Sequence, residues 1–565
     1  MKNCRVIKFI KENIIISIVL TLMAIIYIFR MFTNGPWYDE LYTYYSFISR
    51  GVVYSAIHWP VPNNHVGYSV LSAFLNIFGN PYISLRGVSF LASLANILLI
   101  YKFCIRFTNK YYGVFAAMLY AGANIIHMLA VQGRGYSLAV TCFLTAGMVC
   151  HNICMGADGN IPAYFCEKSA YGVSGIDSVK TMTPKYKMWL FEQLIIFSVS
   201  LTMGLYILPS SIYWVLPVCM AGGIYLLIEK RFKILTGLII SSIVSALDTL
   251  FLYGTIWLAI GSNLLSKTEG SGYFGVYQLN IIKSAPFKAL KTGMDYMLAT
   301  PYIQSIERSQ VLKEISGYFV DFFNQCYKGC GIVFIILWCA IIVFGAYRIF
   351  DKRDKYIKKK KLKEIGITDS NWLEIYLLTL LIVVPLLMIL QSVLPYKRVL
   401  GFIMVPMAMG VAYVLWYLGE VLLKDSPLKY RFKKIRKHIG AVPMLIMIIY
   451  VTFLITTYDY IKPMADRENH IAKILEQVNV EDISSIYYTD DFQKYVLKFY
   501  YDTTPIETGI EEAKYVMVSK ELLDESYDSP QWPLLMPYNK EFLDTVKQSF
   551  DLLAESEEYR VYGRK

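Results

Sequence analysis

The sequence is poor in charge. Of its 565 residues only 17% are Asp, Glu, Lys or Arg, while 56% are hydrophobic, and the mean hydropathy is +0.42. That scarcity excludes the string of water-soluble domains a chain of this length would otherwise suggest, since soluble domains carry roughly 25% charged residues. A disulfide scaffold is excluded as well. Ten cysteines are present, but Cys104, Cys142, Cys150, Cys154, Cys219 and Cys339 fall in or beside apolar stretches, where a thiol packs as a small hydrophobe. Only Cys326 and Cys330 are placed to pair. Internal repeats are absent, and low complexity is confined to the lysine run Lys358-Lys359-Lys360-Lys361. The excess of 55 Lys+Arg over 43 Asp+Glu does not suggest nucleic acid, because the basic residues lie in short runs between apolar stretches and form no separate basic domain.

Long apolar runs are what the chain has in abundance. Eleven stretches approach or exceed the roughly 20 helical residues that cross a hydrocarbon core, at about 14–32, 87–105, 111–131, 135–155, 191–208, 210–228, 234–260, 331–349, 372–394, 399–422 and 440–458. They predict an all-α polytopic membrane protein. Lys2, Arg5, Lys8 and Lys11 precede the first stretch as in a secretory signal, yet Met31 to Trp37 run on without a small-residue cleavage site, which predicts an uncleaved anchor with a cytoplasmic N-terminus. The apolar piece at 66–79 is short for a span. If it crossed, Lys230-Arg231-Phe232-Lys233, the run from Arg348 to Lys363 and the segment from Lys424 to Lys437 would all face outward. Laid along the interface, it leaves them inside, as the positive-inside rule requires.

Residues 1–458 are therefore expected to form the membrane domain of a cytoplasmic-membrane protein, with interfacial helices in its first outer loop. Residues 459–565 are expected to form a small outer α/β domain. The tail carries 22 Asp+Glu against 12 Lys+Arg and reads as a helix near 466–478, a strand at Ile483–Thr489, a helix at Asp490–Tyr500, a strand at Lys514–Ser519 and a helix at 540–550.

With the sides assigned, ionisable residues gather at one membrane edge. Trp37-Tyr38-Asp39-Glu40 follows the first span, and in a helix its two acids point to different faces. Pro60-Val61-Pro62-Asn63-Asn64-His65 leads into the short apolar piece, Arg86 opens the second span, Gln132-Gly133-Arg134-Gly135-Tyr136-Ser137 breaks the chain between the third and fourth, and Pro395-Tyr396-Lys397-Arg398 separates the ninth and tenth. Each cation taken alone is explained by snorkelling to headgroups. Three arginine-bearing turns and a carboxylate pair on one edge are better explained together, as a site for an anionic, membrane-embedded substrate such as a lipid phosphate, because planar guanidinium groups bind phosphate bidentately. Beside that phosphate Asp39 suits a general base. Alternatively Asp39 and Glu40 offer oxygen ligands to Mg²⁺ or Mn²⁺. Elsewhere His127 reads as a packing residue, and Asp248, in the middle of a span, is expected to face protein or a cavity.

In this order the features resemble the GT-C superfamily of polyprenyl-phosphate-sugar-dependent glycosyltransferases, the group of the protein O-mannosyltransferases and the aminoarabinose lipid A transferases. The likeness covers about residues 10–420. It rests on Trp37-Tyr38-Asp39-Glu40, Pro62-Asn63-Asn64-His65, Leu85-Arg86-Gly87-Val88-Ser89, Gln132-Gly133-Arg134-Gly135-Tyr136-Ser137-Leu138, Leu205-Tyr206-Ile207-Leu208-Pro209 and Pro395-Tyr396-Lys397-Arg398. It implies a bacterial enzyme moving a sugar from a polyprenyl-phosphate donor to a hydroxyl of an extracytoplasmic glycolipid, wall polymer or protein, by an inverting displacement. By the same resemblance Asp39 is the acid-base residue and Glu40 its motif neighbour. Donor phosphate and substrate contacts fall to His65, Arg86, Gln132, Arg134, Tyr136, Lys397 and Arg398. Two departures stand out: Asn63-Asn64-His65 stands where many relatives carry Pro-Pro or Lys-Pro-Pro, so that His65 takes the place of a lysine contact, and the turn at Gln132-Gly133-Arg134 lacks the acidic residue that many show there.

Two rival readings use the same spans. A transporter or flippase for a lipid-linked sugar places polar groups near the midplane, often in two related halves; here they lie at an edge and no half-repeat is visible. A glycan ligase or polymerase of another membrane class shares the outer arginines but does not require Asp39-Glu40.

Overall fold

The computed structural model describes residues 10–57, 64–157, 184–260, 304–350, 371–422, 440–457, 466–478, 483–502, 509–526, 536 and 538–565. Pro60 to Asn63, most of the loops at 156–188 and 261–329, and the basic runs at 351–363 and 424–437 lie outside the described residues. Helices α1 (Ile14–Thr33), α2 (Tyr38–Ser46), α3 (Val66–Leu75), α4 (Pro81–Cys104), α5 (Lys110–Ala121), α6 (Asn124–Ala130), α7 (Tyr136–Ala157) and α8 (Pro184–Ile207) lead the chain. They are followed by α9 (Ile212–Ile228), α10 (Phe232–Ile260), α11 (Val311–Cys326), α12 (Gly331–Phe350), α13 (Trp372–Gln391), α14 (Met404–Trp416) and α15 (Ala441–Thr457).

Among the described residues nine helices are long and apolar enough to cross a membrane. The other two expected spans are helical but different in kind. The third is the pair α5–α6, bent by 77°, and the eleventh, α15, has only 17 residues. The bend falls at Gly122-Ala123, where Ala123 is extended. It removes helical partners from the carbonyls before it, and the Tyr327 hydroxyl donates to Leu119 O at 2.6 Å in their place, as a backbone group shielded from water requires. Helix starts follow local chemistry: the Asn80 carboxamide accepts from the N–H groups of Tyr82 and Ile83 and Pro81 takes the first helical position of α4, a pairing of cap and proline that needs no tertiary help.

The short piece α3 buries Val66, Tyr68, Ser69, Ser72 and Ala73, while Leu71 and Phe74, with Ile77 and Phe78 just beyond it, are exposed. One face therefore packs on protein and the other is apolar and open, as a helix lying along a lipid interface requires. Three readings need correction or detail. Cys326 and Cys330 are both free thiols, Cys326 sunk in the apolar core. Asp248 is exposed among the described residues, because α10 buries one narrow stripe, Leu238, Ser241, Ser245 and Tyr253, and position 248 falls outside it. His127 is fully buried with its ring edge-on to Tyr27, centroids 4.9 Å apart.

Beyond the spans, α16 (Asp466–Val478), α17 (Asp491–Tyr501) and α18 (Lys540–Ser549) pack on a four-stranded sheet. A two-residue pair, β1 (Gln304–Ser305) with β2 (Val393–Leu394), lies earlier in the chain. The sheet comprises β3 (Ile486–Tyr488), β4 (Tyr515–Ser519), β5 (Phe550–Glu555) and β6 (Tyr559–Arg564), in the order β3-β4-β6-β5. β3 and β4 are parallel and the remaining pairs antiparallel. The sequence predicts the first two strands and the three helices. The terminal hairpin β5–β6 escapes it, although Tyr559 and Val561 alternate inward between half-buried Arg560 and Tyr562, the period-2 signal of a strand.

Candidate active site

The first turn of α2 is built from its own sequence. Trp37 is extended at the cap, and Glu40, three residues on, accepts the Trp37 N–H at 3.0 Å, one half of a capping box that also sets a negative charge at the positive end of the helix. From there Glu40 turns into the bundle. Its Oε1 accepts from Arg86 Nε at 2.8 Å and from Gly133 N–H at 2.5 Å, and its Oε2 accepts from Arg86 Nη2 at 2.9 Å. Arg86 also donates from Nη1 to Met31 O and Asn34 O, both at 2.8 Å, and from Nη2 to Gly35 O at 3.1 Å. A guanidinium has five N–H groups, and all five are used. Arg86, expected on a donor phosphate, thus ties α4 to the first loop and has no donor left for a ligand. Both side chains of this pair are 1% exposed.

Asp39 turns the other way. Its Oδ2 lies 3.3 Å from Arg398 Nη2, with side-chain exposures of 16% and 20%, so this pair, unlike the first, is open to a ligand. Arg398 Nε donates to the Tyr136 hydroxyl at 2.8 Å, and its guanidinium is caged by the rings of Tyr396, Trp37 and Tyr136 at 4.5, 4.8 and 5.9 Å. Next in line stands His65, edge-on to Tyr136 at 4.9 Å. Its Nε2 is 3.1 Å from Arg134 Nη2, and its Nδ1 accepts the Gly135 N–H at 2.9 Å. Arg134 Nη1 donates to Thr43 Oγ1 at 2.9 Å, and Thr43 Oγ1 donates to the backbone carbonyl of Asp39 at 2.7 Å, closing a ring of six residues through the α2 backbone.

Burial first, and then the charges of Arg134 and Arg398, push the His65 imidazole well below its ordinary range, so the ring is neutral. A neutral ring carries one proton and one lone pair. Two donors, Gly135 N–H and Arg134, face its two nitrogens, and in either tautomer one contact sets donor against donor. An anionic oxygen between Arg134 and His65 would relieve this. The glycines of the turn allow the approach: a Cβ at Gly133 would collide with Leu85, and one at Gly135 would stand 2.6 Å from Ile207 and 3.2 Å from His65 Nδ1. A carboxylate reaches this turn from α2, where Glu40 Oε1 accepts the Gly133 N–H.

A small pocket lies against Arg398 and Tyr136, walled by Leu129, Ala139, Val140, Leu208, Trp214 and Phe402. Its wall is mostly apolar, with Ser137 and Ser211 among the lining residues, and its charged neighbour is Arg398. No protein-family model matches the chain, and no curated protein sequence is similar to it. Solved structures are. ArnT from Cupriavidus metallidurans bound to undecaprenyl phosphate superposes with a TM-score of 0.50 over 98% of both chains at 10% identity. This chain has the fold of that ArnT structure. The same ArnT in the apo state gives 0.49 over 97% of each chain at 10% identity. The Archaeoglobus fulgidus oligosaccharyltransferase in complex with Zn and sulfate gives 0.45, covering 89% of this chain and 68% of its own, at 12% identity. At such identities the likeness is one of fold, and residue roles rest on the geometry above.

Within this fold Asp39 and Glu40 do not fit as joint metal ligands. Glu40 has both oxygens committed to Arg86 and backbone N–H groups, and among the described residues no set of three His, Cys, Asp or Glu side chains converges. Lys397 lies apart from the ring of contacts, 3.7 Å from Asp321 of α11. Gln132 is buried and its carbonyl accepts the Arg134 N–H at 2.8 Å, shaping the turn. Thr43, Trp37 and Tyr396 belong to the site, and the sequence gives none of them a site role, although Trp37 and Tyr396 stand in two of its motifs. Thr43 was findable, since it stands four residues after Asp39 on a helix and shares its face; the two aromatics were masked by an abundance of interfacial rings.

Proposed function

We propose that this protein is a membrane glycosyltransferase that moves a sugar from a polyprenyl-phosphate donor to an acceptor hydroxyl on the non-cytoplasmic side, where Asp39, Arg398 and Arg134 would lie. The observation that supports this best is the half-open pair of Asp39 and Arg398 beside an apolar pocket in a GT-C fold. Arg398 holds the donor phosphate, Arg134 and His65 bind its remaining oxygens, and Tyr136 orients Arg398. Asp39 takes the proton of the acceptor hydroxyl. The freed oxygen bonds to the anomeric carbon, the bond from that carbon to the phosphate oxygen breaks, and polyprenyl phosphate leaves with the electron pair. A base so placed contributes about 10²–10⁴-fold in rate, and guanidinium groups on the leaving phosphate stabilise the charge that develops there.

On this reading residues 1–458 carry the chemistry and residues 459–565 form an outer domain. Mass spectrometry of envelope glycans and glycolipids, with active protein and with Asp39→Asn, tests the proposal by naming sugar and acceptor together. A glycan present only with active protein is expected. An Asp39→Asn protein that makes the same product at full rate overturns the base assignment.

A further inference from the structure

α2 has nine residues, and a helix so short is marginal in water by itself, where roughly 12–15 residues are needed even for favourable sequences. What holds it lies 430 residues downstream. The N–H of Tyr38, its first residue, donates to Glu468 Oε1 at 2.6 Å. Glu468 is 2% exposed and occupies the first turn of α16, so one carboxylate sits at the positive ends of two helices. Around this contact the rings of Tyr38 and Phe492 are 4.6 Å apart, those of Tyr38 and Tyr495 5.8 Å, and Tyr45 stacks on Tyr495 at 5.8 Å. Leu41 is fully buried in the same apolar cluster as Ile471 and Ile474 of α16. Gly35, just before the helix, admits this approach, since a Cβ there would meet Asn469 Oδ1 at 2.7 Å and the Tyr500 hydroxyl at 3.1 Å. Positions 38, 41 and 45 thus seat α2 on the C-terminal segment, while Asp39, Glu40 and Thr43 engage the bundle.

We propose that Glu468 is a positioning residue of the transfer site: by capping α2 from the C-terminal segment it fixes where Asp39 stands against Arg398, so that α16 and α17 complete the frame of the site. This rests on the reading of Asp39 as the base. Glu40 spends its charge on Arg86, and Glu468 supplies the second carboxylate that the start of this helix uses. Arg467 and Glu40 are the charged groups that act on Glu468, with opposite signs.

Hydrogen exchange of the full-length protein in lipid nanodiscs, read over peptides covering 36–46, tests the cap directly in Glu468→Ala and Glu468→Gln. Loss of the acceptor in Glu468→Ala is expected to speed exchange in this segment by at least about tenfold and to slow sugar transfer by a similar factor, while binding of undecaprenyl phosphate stays within about twofold of wild type. Glu468→Gln retains a carbonyl oxygen for the Tyr38 N–H and restores both. Unchanged exchange in Glu468→Ala overturns the proposal, as does an equal loss of lipid-phosphate binding, which marks general collapse, or a Gln variant as impaired as Ala. A wild-type protein that transfers no sugar sinks the enzyme reading alone, and the exchange arm still decides whether Glu468 caps α2.

Discussion

Two adjacent carboxylates on one short helix each meet an arginine, and the two pairs differ in every physical respect. Glu40 and Arg86 are 1% exposed, joined by two direct bonds, with every donor and acceptor engaged by protein. Asp39 and Arg398 keep 16% and 20% of their side-chain surface open and share a single 3.3 Å contact. A buried pair whose hydrogen-bonding capacity is exhausted stabilises a geometry and has nothing left for a ligand, whereas a half-open pair among aromatic rings holds charge in reserve. One helical step, which rotates neighbouring side chains by about 100°, separates a structural clasp from a candidate reaction centre.

The contrast is sharpest in a pair of matched substitutions. Asp39→Asn should lower sugar transfer by about 10²–10⁴-fold with unchanged yield and melting temperature, measured by product mass spectrometry and thermal unfolding of the purified protein. Glu40→Gln should do the reverse in kind: it leaves Arg86 buried without its counter-charge, a loss of about 3–5 kcal/mol, read as a lower melting temperature and less folded protein. Should Glu40→Gln melt normally, Glu40 and Arg86 are no clasp. A smaller effect belongs to Arg398→Lys, which retains the charge but loses the planar fork and the stack between Trp37 and Tyr396; polyprenyl phosphate should bind about tenfold more weakly, by titration in nanodiscs.

The smallest effect concerns pH. Burial, aided by the charge of Glu40, pushes the Glu468 carboxyl up to about 7, against the pull of two backbone N–H groups and Arg467. A carboxyl with a raised native pKa holds its proton more tightly in the folded state. Its stabilising contribution is therefore complete below the ordinary carboxylate range, fades as pH rises toward about 7, and is flat above. Asp490, pushed up to about 6 by burial, adds a similar slope of its own. The difference in melting temperature between wild type and Glu468→Gln across pH 4.5–7.5 isolates Glu468, and two parallel curves would contradict its titration there.

Much of the fold is legible in the chain because its signals are local. Hydropathy marks the membrane-spanning helices, the Trp37 to Glu40 spacing marks the start of α2, and the apolar run from Tyr515 to Val518 marks β4, whereas α11 lies outside the apolar stretches. The bend at Gly122-Ala123 is not legible, because its freed carbonyl is satisfied by Tyr327 from far along the chain. Arg86 shows the limit from the other side. As a residue at a membrane edge it reads like Arg134 and Arg398, and only its five partners reveal that it binds protein instead.

The sequence by itself determined the apolar spans, the short helix with two acids in its first turn, and the cations gathered near the ends of other helices, since each depends on residues within one or two turns of one another. Tertiary structure alone decided which arginine answers which acid. The partners stand 46 residues apart for Glu40 and Arg86, 359 for Asp39 and Arg398, and 430 for Tyr38 and Glu468, and at such separations side chains meet only because packing of the whole chain brings their helices together.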